Sequence, residues 1–531
     1  MEASPLAAKS RPHRHQKASM SDLSRSPGDH WETFAAYVAR ALQEWSPIIV
    51  SNRAPYELTP DGGVRRGSGG LVSAMLSVAG ATGATWVACA RTEAERRLAE
   101  KTDPLLVGPP LHQAPFAIRH VNTDPISYEQ YYSVIANPLL WFVQHYLWPL
   151  TYEPVVDQRI HDAWRQGYVA VNQQMAAAVI GVAHNSPRPP LVLTQDYQLY
   201  LAPRMIRDAL PHATLQQFIH IPWPTPQYWT VLPRTMRDAI IDGLLANDVV
   251  GFQTNRDVRN FLMSCDELLG LRVDHRGGAV LHRGRVVWVR AYPVSVDVGA
   301  LTLLAAGSGV ATEDARLASW KPEKLIVRVD RTDPTKNIIR GFLAYERMLT
   351  NHPELMRRVQ FWAFLQPSRQ DVPAYREYLQ RVRSTAVRIN SELQQPGWQP
   401  IRLELRENLK RAVAAYKAFD VLLVNPIYDG MNLVAKEGML LNTMDGVLVL
   451  SENAGAYEQL GKFALRVNPF DVDATADALY CGLTMPAEER KAKGEEIKRQ
   501  IQSEDILQWL RRQLEDIHDF APSRGGRQLG S

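Results

Sequence analysis

Arg331 and Lys336 stand five residues apart, just past the apolar run Leu325–Val329. Two fixed cations at that spacing beyond a strand can neutralise a diphosphate as negative charge develops on it. A solvated surface pair is the other reading of the same two residues. The stretch Asp429-Gly430-Met431-Asn432-Leu433-Val434-Ala435-Lys436-Glu437 is more informative. Gly430 permits close backbone approach, and a helix starting near Asn432 would aim its free N–H groups and positive dipole end at an anion. Glu437 lies about one turn into that helix. A carboxylate there would repel phosphate but suits a hydroxyl pair such as a ribose diol. It also suits a plain helix-start acid favoured by the dipole. Gly67-Ser68-Gly69-Gly70 precedes a helical run and reads either as a backbone cradle for a phosphate or hydroxyl or as a tight turn. It has neither the Lys and Ser/Thr pair of a P-loop nor the GxGxxG spacing.

These residues need elements to position them. Short runs rich in Val and Ile recur: 47–51, 191–194, 217–220, 248–252, 325–329, 359–363, 421–424 and 447–450. Longer stretches with helical periodicity separate most of them. That alternation predicts parallel sheets covered on both faces, where ligands gather beyond the carboxyl ends of the strands. At those ends stand Ser51-Asn52-Arg53, Gln195-Asp196-Tyr197, His220-Ile221-Pro222-Trp223-Pro224, Asp330 to Asn337, and Tyr428 to Asn432. Polar and cationic residues at one edge, repeated five times, favour a site between two domains. The strands are too many for one sheet, so the fold class expected is α/β with two doubly wound domains, about 46–297 and 298–500. The break is expected near 297–320. Residues 1–30 read as a disordered tail, rich in Ser, Pro, Arg and His. A helix is expected from about Trp31, and Asp61-Gly62-Gly63 reads as a hairpin turn. Residues 501–520 read as a C-terminal amphipathic helix, starting near Ser503-Glu504-Asp505 and packing back on the N-terminal domain.

Composition excludes several classes. The 531 residues carry 60 Lys plus Arg against 56 Asp plus Glu, a formal charge of +4. Main-purpose nucleic-acid binding is therefore not expected. Cys89, Cys265 and Cys481 are far apart with no metal-ligand spacing, which argues against a disulfide scaffold or zinc module and for a reducing cytoplasm. No apolar run reaches the roughly 18 residues of a membrane span, so no membrane partner is expected.

The chain resembles the trehalose-6-phosphate synthase family of retaining glycosyltransferases. The matching pieces are SNR at 51–53, GG at 69–70, YY…NPLLWFVQHY at 131–146, QDYQL at 195–199, HIPWPTP at 220–226 and DVVGFQT at 248–254. DRTDPTK at 330–336, QPSRQDV at 366–372, DGMNLVAKE at 429–437 and SENAGA at 451–456 follow in family order. The resemblance implies the GT-B fold, two Rossmann-like domains facing across a cleft. It implies glucose transfer from a nucleotide-diphosphate glucose to glucose 6-phosphate, giving trehalose 6-phosphate. By the same resemblance Arg53, Tyr132, Trp141 and Arg369 would hold the acceptor phosphate, and Asp196 the acceptor hydroxyls. His220 and Asp429 would position the donor sugar. Arg331 and Lys336 would hold the donor diphosphate, helped by backbone N–H groups around Asn432, Leu433 and Val434. Glu437 would take the ribose hydroxyls, and Gly70 would approach the donor phosphates. No cofactor and no divalent metal is implied, because Arg331 and Lys336 stand in for the metal.

Three positions depart from the family pattern: Asn337 and Ser295 where glycine is usual, and Tyr428 where arginine is frequent. They leave the donor preference open among UDP, GDP and ADP. The oligomeric state is open too, a homo-oligomer included. Rival readings on the same scaffold are a glucosylglycerol-phosphate synthase, a pseudo-glycosyltransferase and a non-catalytic regulatory member. Retention of Arg331 and Lys336 speaks against the last. A separate phosphatase is expected to take the product onward.

Overall fold

The computed structural model describes residues 27–59, 63–67, 70–101, 104–108 and 115–520. By its internal contacts the chain divides into two units. The first takes the described residues up to Gln144, then Trp148–Tyr292 and the chain from Leu510. The second takes His145–Leu147 and Pro293–Trp509. The division thus falls between Tyr292 and Pro293, a few residues before position 297. The segment 297–320 is two helices, Val298–Ala306 and Ser308–Ala318. Asp297 starts the first by accepting a hydrogen bond from the Ala300 N–H at 2.8 Å, a side-chain cap that composition alone does not reveal.

A ten-stranded sheet forms the first unit. Six strands run parallel as neighbours: Val249–Phe252, Thr214–Phe218, Pro190–Gln195, Ser46–Ser51, Thr85–Cys89 and Phe116–Val121. Ile48 is in register with Val192 on one side and Thr85 on the other. Arg285–Ala291 continues the parallel set, and Ala279–His282, Arg272–Asp274 and Leu105–Val107 add antiparallel edges. The central strands are buried almost throughout, as sheets covered on both faces require. Tyr56–Leu58 and Val64–Arg66 pair as a hairpin. Of its expected turn, Asp61 and Gly62 lie outside the described residues. Asp505 begins the helix Ile506–Phe520 by accepting from the N–H groups of Leu507 and Gln508, both at 3.0 Å. Its later residues belong to the first unit, where Gln513 accepts from Gln216 at 2.7 Å and Asp516 from the Tyr292 hydroxyl at 2.6 Å.

Six parallel strands form the sheet of the second unit, ordered Ile401–Leu405, Val359–Gln366, Lys324–Arg331, Val421–Val424, Val447–Ser451 and Leu465–Val467. Its core gathers Ile326, Phe342, Tyr345, Phe361 and Leu423. At the amino end, the helix Pro27–Ala41 starts four residues before Trp31. The remainder of the expected tail, 1–26, lies outside the described residues. Among the described residues no helix is long and apolar enough to cross a membrane.

Candidate active site

In the first unit, the strand Ser46–Ser51 delivers Arg53 to the carboxyl edge of the sheet. Ser51 Oγ donates to the Arg53 carbonyl at 2.7 Å and accepts from Trp86 Nε1 at 2.8 Å, which fixes the loop backbone. Arg53 Nη2 donates to the Tyr132 hydroxyl at 2.9 Å. Tyr132 lies in a π-helical stretch, Gln130–Leu140, with Pro138 inside it. Proline has no N–H to donate, and such wide turns recur at functional sites. Asn137 donates from Nδ2 to the Tyr132 carbonyl at 2.9 Å and accepts from the Tyr197 hydroxyl at 2.7 Å. The Tyr197 ring in turn lies 5.6 Å from that of the buried Trp141. Arg53, Tyr132 and Trp141 are thereby linked into one group that reaches the residue after Asp196.

Asp196 has φ 72° and ψ 179°, an extended positive-φ backbone that is essentially glycine's and is strained for an aspartate. Its N–H donates to the Phe218 carbonyl at 2.7 Å, and its Oδ1 accepts from the His220 N–H at 3.2 Å. The carboxylate is therefore tied to the next strand's loop. His220 Nε2 meets Gln195 Oε1 at 3.1 Å and Nδ1 meets Gln253 Nε2 at 3.5 Å. With the proton placed by that amide network, the ring is the neutral Nε2–H form. Burial pushes its pKa down to about 3. A ring that resists protonation this strongly is a poor base and a good positioning group.

In the second unit, Arg331 closes the strand Lys324–Arg331 and Lys336 closes the single turn Pro334–Lys336. Asp333 caps that turn, accepting from the Thr335 N–H at 3.1 Å. Lys336 Nζ bonds Asp429 Oδ2, which also accepts from Asn432 Nδ2 at 3.1 Å. Asn432, at φ 69°, opens the helix Leu433–Leu441. Lys336, Asp429 and Asn432 thus lie together, and Leu433 and Val434 follow as the first residues of the helix. Glu437 is half-buried and accepts from the Tyr416 hydroxyl at 3.3 Å. Burial raises its pKa, and the Tyr416 bond only partly opposes that. Arg369, at φ 48°, donates from Nη1 to the Tyr375 hydroxyl at 2.5 Å. Gly70 is the first residue of the helix Gly70–Thr82; Ser68 and Gly69 lie outside the described residues.

The three departures have physical readings. Asn337 has φ 57°, the conformation that usually asks for glycine and that asparagine tolerates. Its side chain adds bonds from Nδ2 to the carbonyls of Asn425 at 3.0 Å and Pro469 at 2.7 Å. Ser295 is fully buried and its φ is not positive, so no backbone strain bars a side chain there. The Tyr428 ring lies 4.5 Å from that of Tyr146, an aromatic contact where an arginine would bring charge.

Several supporting residues escaped the sequence reading. Arg328 is wholly buried and donates to Asp330 at 2.7 Å, to the Lys336 carbonyl at 2.5 Å and to Asn425 at 2.7 Å. Nothing in the sequence distinguishes it from an outward-facing strand residue. Asn137, Gln195, Gln253, Asp333 and Tyr375 hold predicted residues in place. Of these, only Gln195 and Asp333 stand among the strand-end residues singled out in the sequence. Among the described residues no three of His, Cys, Asp or Glu gather as metal ligands.

The model of glycosyltransferase family 20 matches residues 46–519. The bifunctional trehalose-6-phosphate synthase/phosphatase of Thermoproteus tenax is 34% identical over 477 residues; the match covers 87% of this chain and 62% of that protein. The chain therefore spans less than two thirds of that relative's length. A solved structure from E. coli bound with UDP-2-fluoro glucose is 30% identical, covers 89% of this chain and 98% of its own, and superposes with a TM-score of 0.76. The UDP-forming α,α-trehalose-phosphate synthase from Burkholderia xenovorans, in complex with glucose 6-phosphate, is 28% identical with a TM-score of 0.75. It covers 89% of this chain and 99% of its own. The expected fold class, GT-B with two α/β domains, is the one these matches show.

Proposed function

The chain belongs to glycosyltransferase family 20, and from that premise we propose that it transfers glucose, with retention, from a nucleotide-diphosphate glucose to glucose 6-phosphate, giving trehalose 6-phosphate. The observation that carries this reading is the group Lys336, Asp429 and Asn432 at the start of the helix Leu433–Leu441. It joins a cation, a sugar-hydroxyl acceptor and the N–H groups of a helix start. That set suits a sugar diphosphate. Relatives bind UDP-2-fluoro glucose and glucose 6-phosphate, which supports the same pair of substrates here, with UDP the first nucleotide to try.

The second unit is the nucleotide-sugar domain. Arg331, Lys336 and the N–H groups from Asn432 to Val434 neutralise the diphosphate, Asp429 orients the glucose and Glu437 takes the ribose hydroxyls. Gly70, first residue of the first unit's helix Gly70–Thr82, offers backbone suited to a phosphate. The first unit is otherwise the acceptor domain. Arg53, Tyr132 and Trp141 are read as groups for the phosphate of glucose 6-phosphate, and in the second unit Arg369 is read as a group for the acceptor phosphate. A planar guanidinium grips a dianion through two N–H groups at once, which a lysine cannot do. Asp196 accepts from acceptor hydroxyls, and neutral His220 positions the donor sugar.

The bond from the glucose anomeric carbon to the diphosphate oxygen breaks as the bond to the acceptor hydroxyl oxygen forms on the same face. The acceptor proton passes to the departing diphosphate. No protein base is required, in keeping with the low basicity of His220. The protein's share is positioning and charge stabilisation. Arg331 and Lys336 supply the positive charge, so the reaction is read as independent of metal and cofactor. A cytoplasmic location fits Cys89, Cys265 and Cys481, which lie too far apart in sequence to suggest a disulfide framework. The test is nucleotide release from UDP-, GDP- and ADP-glucose, each with glucose 6-phosphate and with glycerol 3-phosphate. Release with glucose 6-phosphate supports the reading. Release only with glycerol 3-phosphate would move the chain to the glucosylglycerol-phosphate reaction.

A further inference from the structure

Two loops of the second unit follow adjacent parallel strands, Lys324–Arg331 and Val359–Gln366, with Arg331 in register with Gln366. One loop carries Lys336 and the other Arg369. Asp333 sits between them with its side chain fully buried. Its Oδ1 accepts from the Thr335 N–H at 3.1 Å, and its carbonyl accepts from the Lys336 N–H at 3.0 Å. Its Oδ2 accepts from the Tyr375 hydroxyl at 3.2 Å and lies 3.5 Å from Arg369 Nη1. Tyr375, itself buried in the helix Pro373–Leu393, receives Arg369 Nη1 at 2.5 Å. A further bond, Ser368 N–H to Thr332 Oγ1 at 3.2 Å, stitches the same two loops.

We propose that Asp333 is a positioning residue for both substrates: one carboxylate oxygen shapes the turn that presents Lys336, and the other, with Tyr375, aims Arg369. This rests on the reading above, which gives Lys336 to the donor diphosphate and Arg369 to the acceptor phosphate. A buried carboxylate must be paired or hydrogen-bonded. Burial alone would raise the Asp333 pKa, but Arg369, Arg331 and the Thr335 N–H hold it below the usual carboxylate value. The ionised form therefore persists and keeps Arg369 drawn to one place, despite the left-handed backbone at that residue. A guanidinium set in advance loses less freedom when it grips a phosphate.

The two oxygens can be separated by substitution. Asp333→Asn keeps an acceptor for the Thr335 N–H, since asparagine caps as well as aspartate, but removes the charge facing Arg369. Asp333→Ala removes both. Tyr375→Phe keeps the charge and removes the relay. Steady-state kinetics with both substrates varied gives the readout. For Asp333→Asn, KM for glucose 6-phosphate should rise about tenfold while KM for the nucleotide-sugar stays within about twofold. For Asp333→Ala both should rise, with a fall in kcat. For Tyr375→Phe only the acceptor KM should rise, by about threefold to fivefold. An acceptor KM for Asp333→Asn that is unchanged or lower would overturn the proposal, as would donor and acceptor constants moving together in all three variants. A wild-type protein that transfers nothing to glucose 6-phosphate would instead overturn the parent reading, and this one with it.

Discussion

Replacing Lys336 by alanine removes one cation from the proposed diphosphate site and leaves the Asp429 carboxylate with the hydrogen bond from Asn432 Nδ2 in that group. Two consequences follow, and they separate. The first is catalytic. Unit charges 4 Å apart interact by about 4 kcal/mol at an effective dielectric of about 20. Half a charge developing on the leaving oxygen then gains about 2 kcal/mol from the ammonium, and loss of a single preorganised donor typically costs about 2.7–4 kcal/mol. Turnover should therefore fall by about 10²–10³-fold. The second is structural. The Asp429 side chain is only 15% exposed, so its unpaired charge should cost about 1–3 kcal/mol. At about 2–4 °C per kcal/mol, melting should drop by several degrees. Adding Asp429→Asn removes the unpaired charge, so melting should recover while turnover stays low. Nucleotide release at saturating substrates and thermal melts by circular dichroism measure the two effects. Lys336→Ala turning over within threefold of wild type would refute the catalytic role. Recovery of turnover together with melting in the double variant would show that the loss came from misfolding.

Three further outcomes are expected. His220 stays neutral in the fold down to about pH 3 but takes a proton near 6.5 when unfolded, so its contribution to stability is lost as pH falls. The wild type should lose up to about 2 kcal/mol between pH 7 and pH 5 from this group, and denaturant titrations of His220→Gln should show a correspondingly flatter pH slope. Burial raises the Glu437 pKa, so ionising it costs folded stability at pH 7. Melts of Glu437→Gln should show no loss, while KM for the nucleotide-sugar rises about tenfold because a charged acceptor is gone. Tyr132→Phe removes the hydroxyl that receives Arg53 and should raise KM for glucose 6-phosphate about fivefold with the donor KM unchanged. A donor-side change in that variant would contradict its placement.

The central strands were legible because runs such as Ile48-Ile49-Val50 and Leu422-Leu423-Val424 are apolar throughout, as strands buried on both faces must be. Leu105–Val107, Arg272–Asp274 and Leu465–Val467 are only three residues long, each with an exposed position, and exist through pairing with a neighbour, which no local pattern announces. Lys336 and Asn432 were legible because each ends or begins a local element. The bonds that hold them span long separations: Arg328 to Asn425, Lys336 to Asp429 and Asp333 to Tyr375. Such pairs join loops from different strands, and only the sheet order brings them together. Asn337 shows the limit from the other side. Its departure from glycine looked like a change in chemistry, and the backbone angle shows that it keeps the glycine conformation and adds two hydrogen bonds.

The central claim is retaining transfer of glucose to glucose 6-phosphate, and the stereochemistry of the product tests it most directly. The nucleotide-glucose that supports nucleotide release, labelled with ¹³C at the anomeric carbon of an α-linked glucose, is incubated with the protein and glucose 6-phosphate. The product is then read by NMR. The account predicts that the label appears in an α,α-linked non-reducing disaccharide bearing one phosphate. A β-configured labelled carbon, or label remaining wholly in the donor or in free glucose, would contradict it.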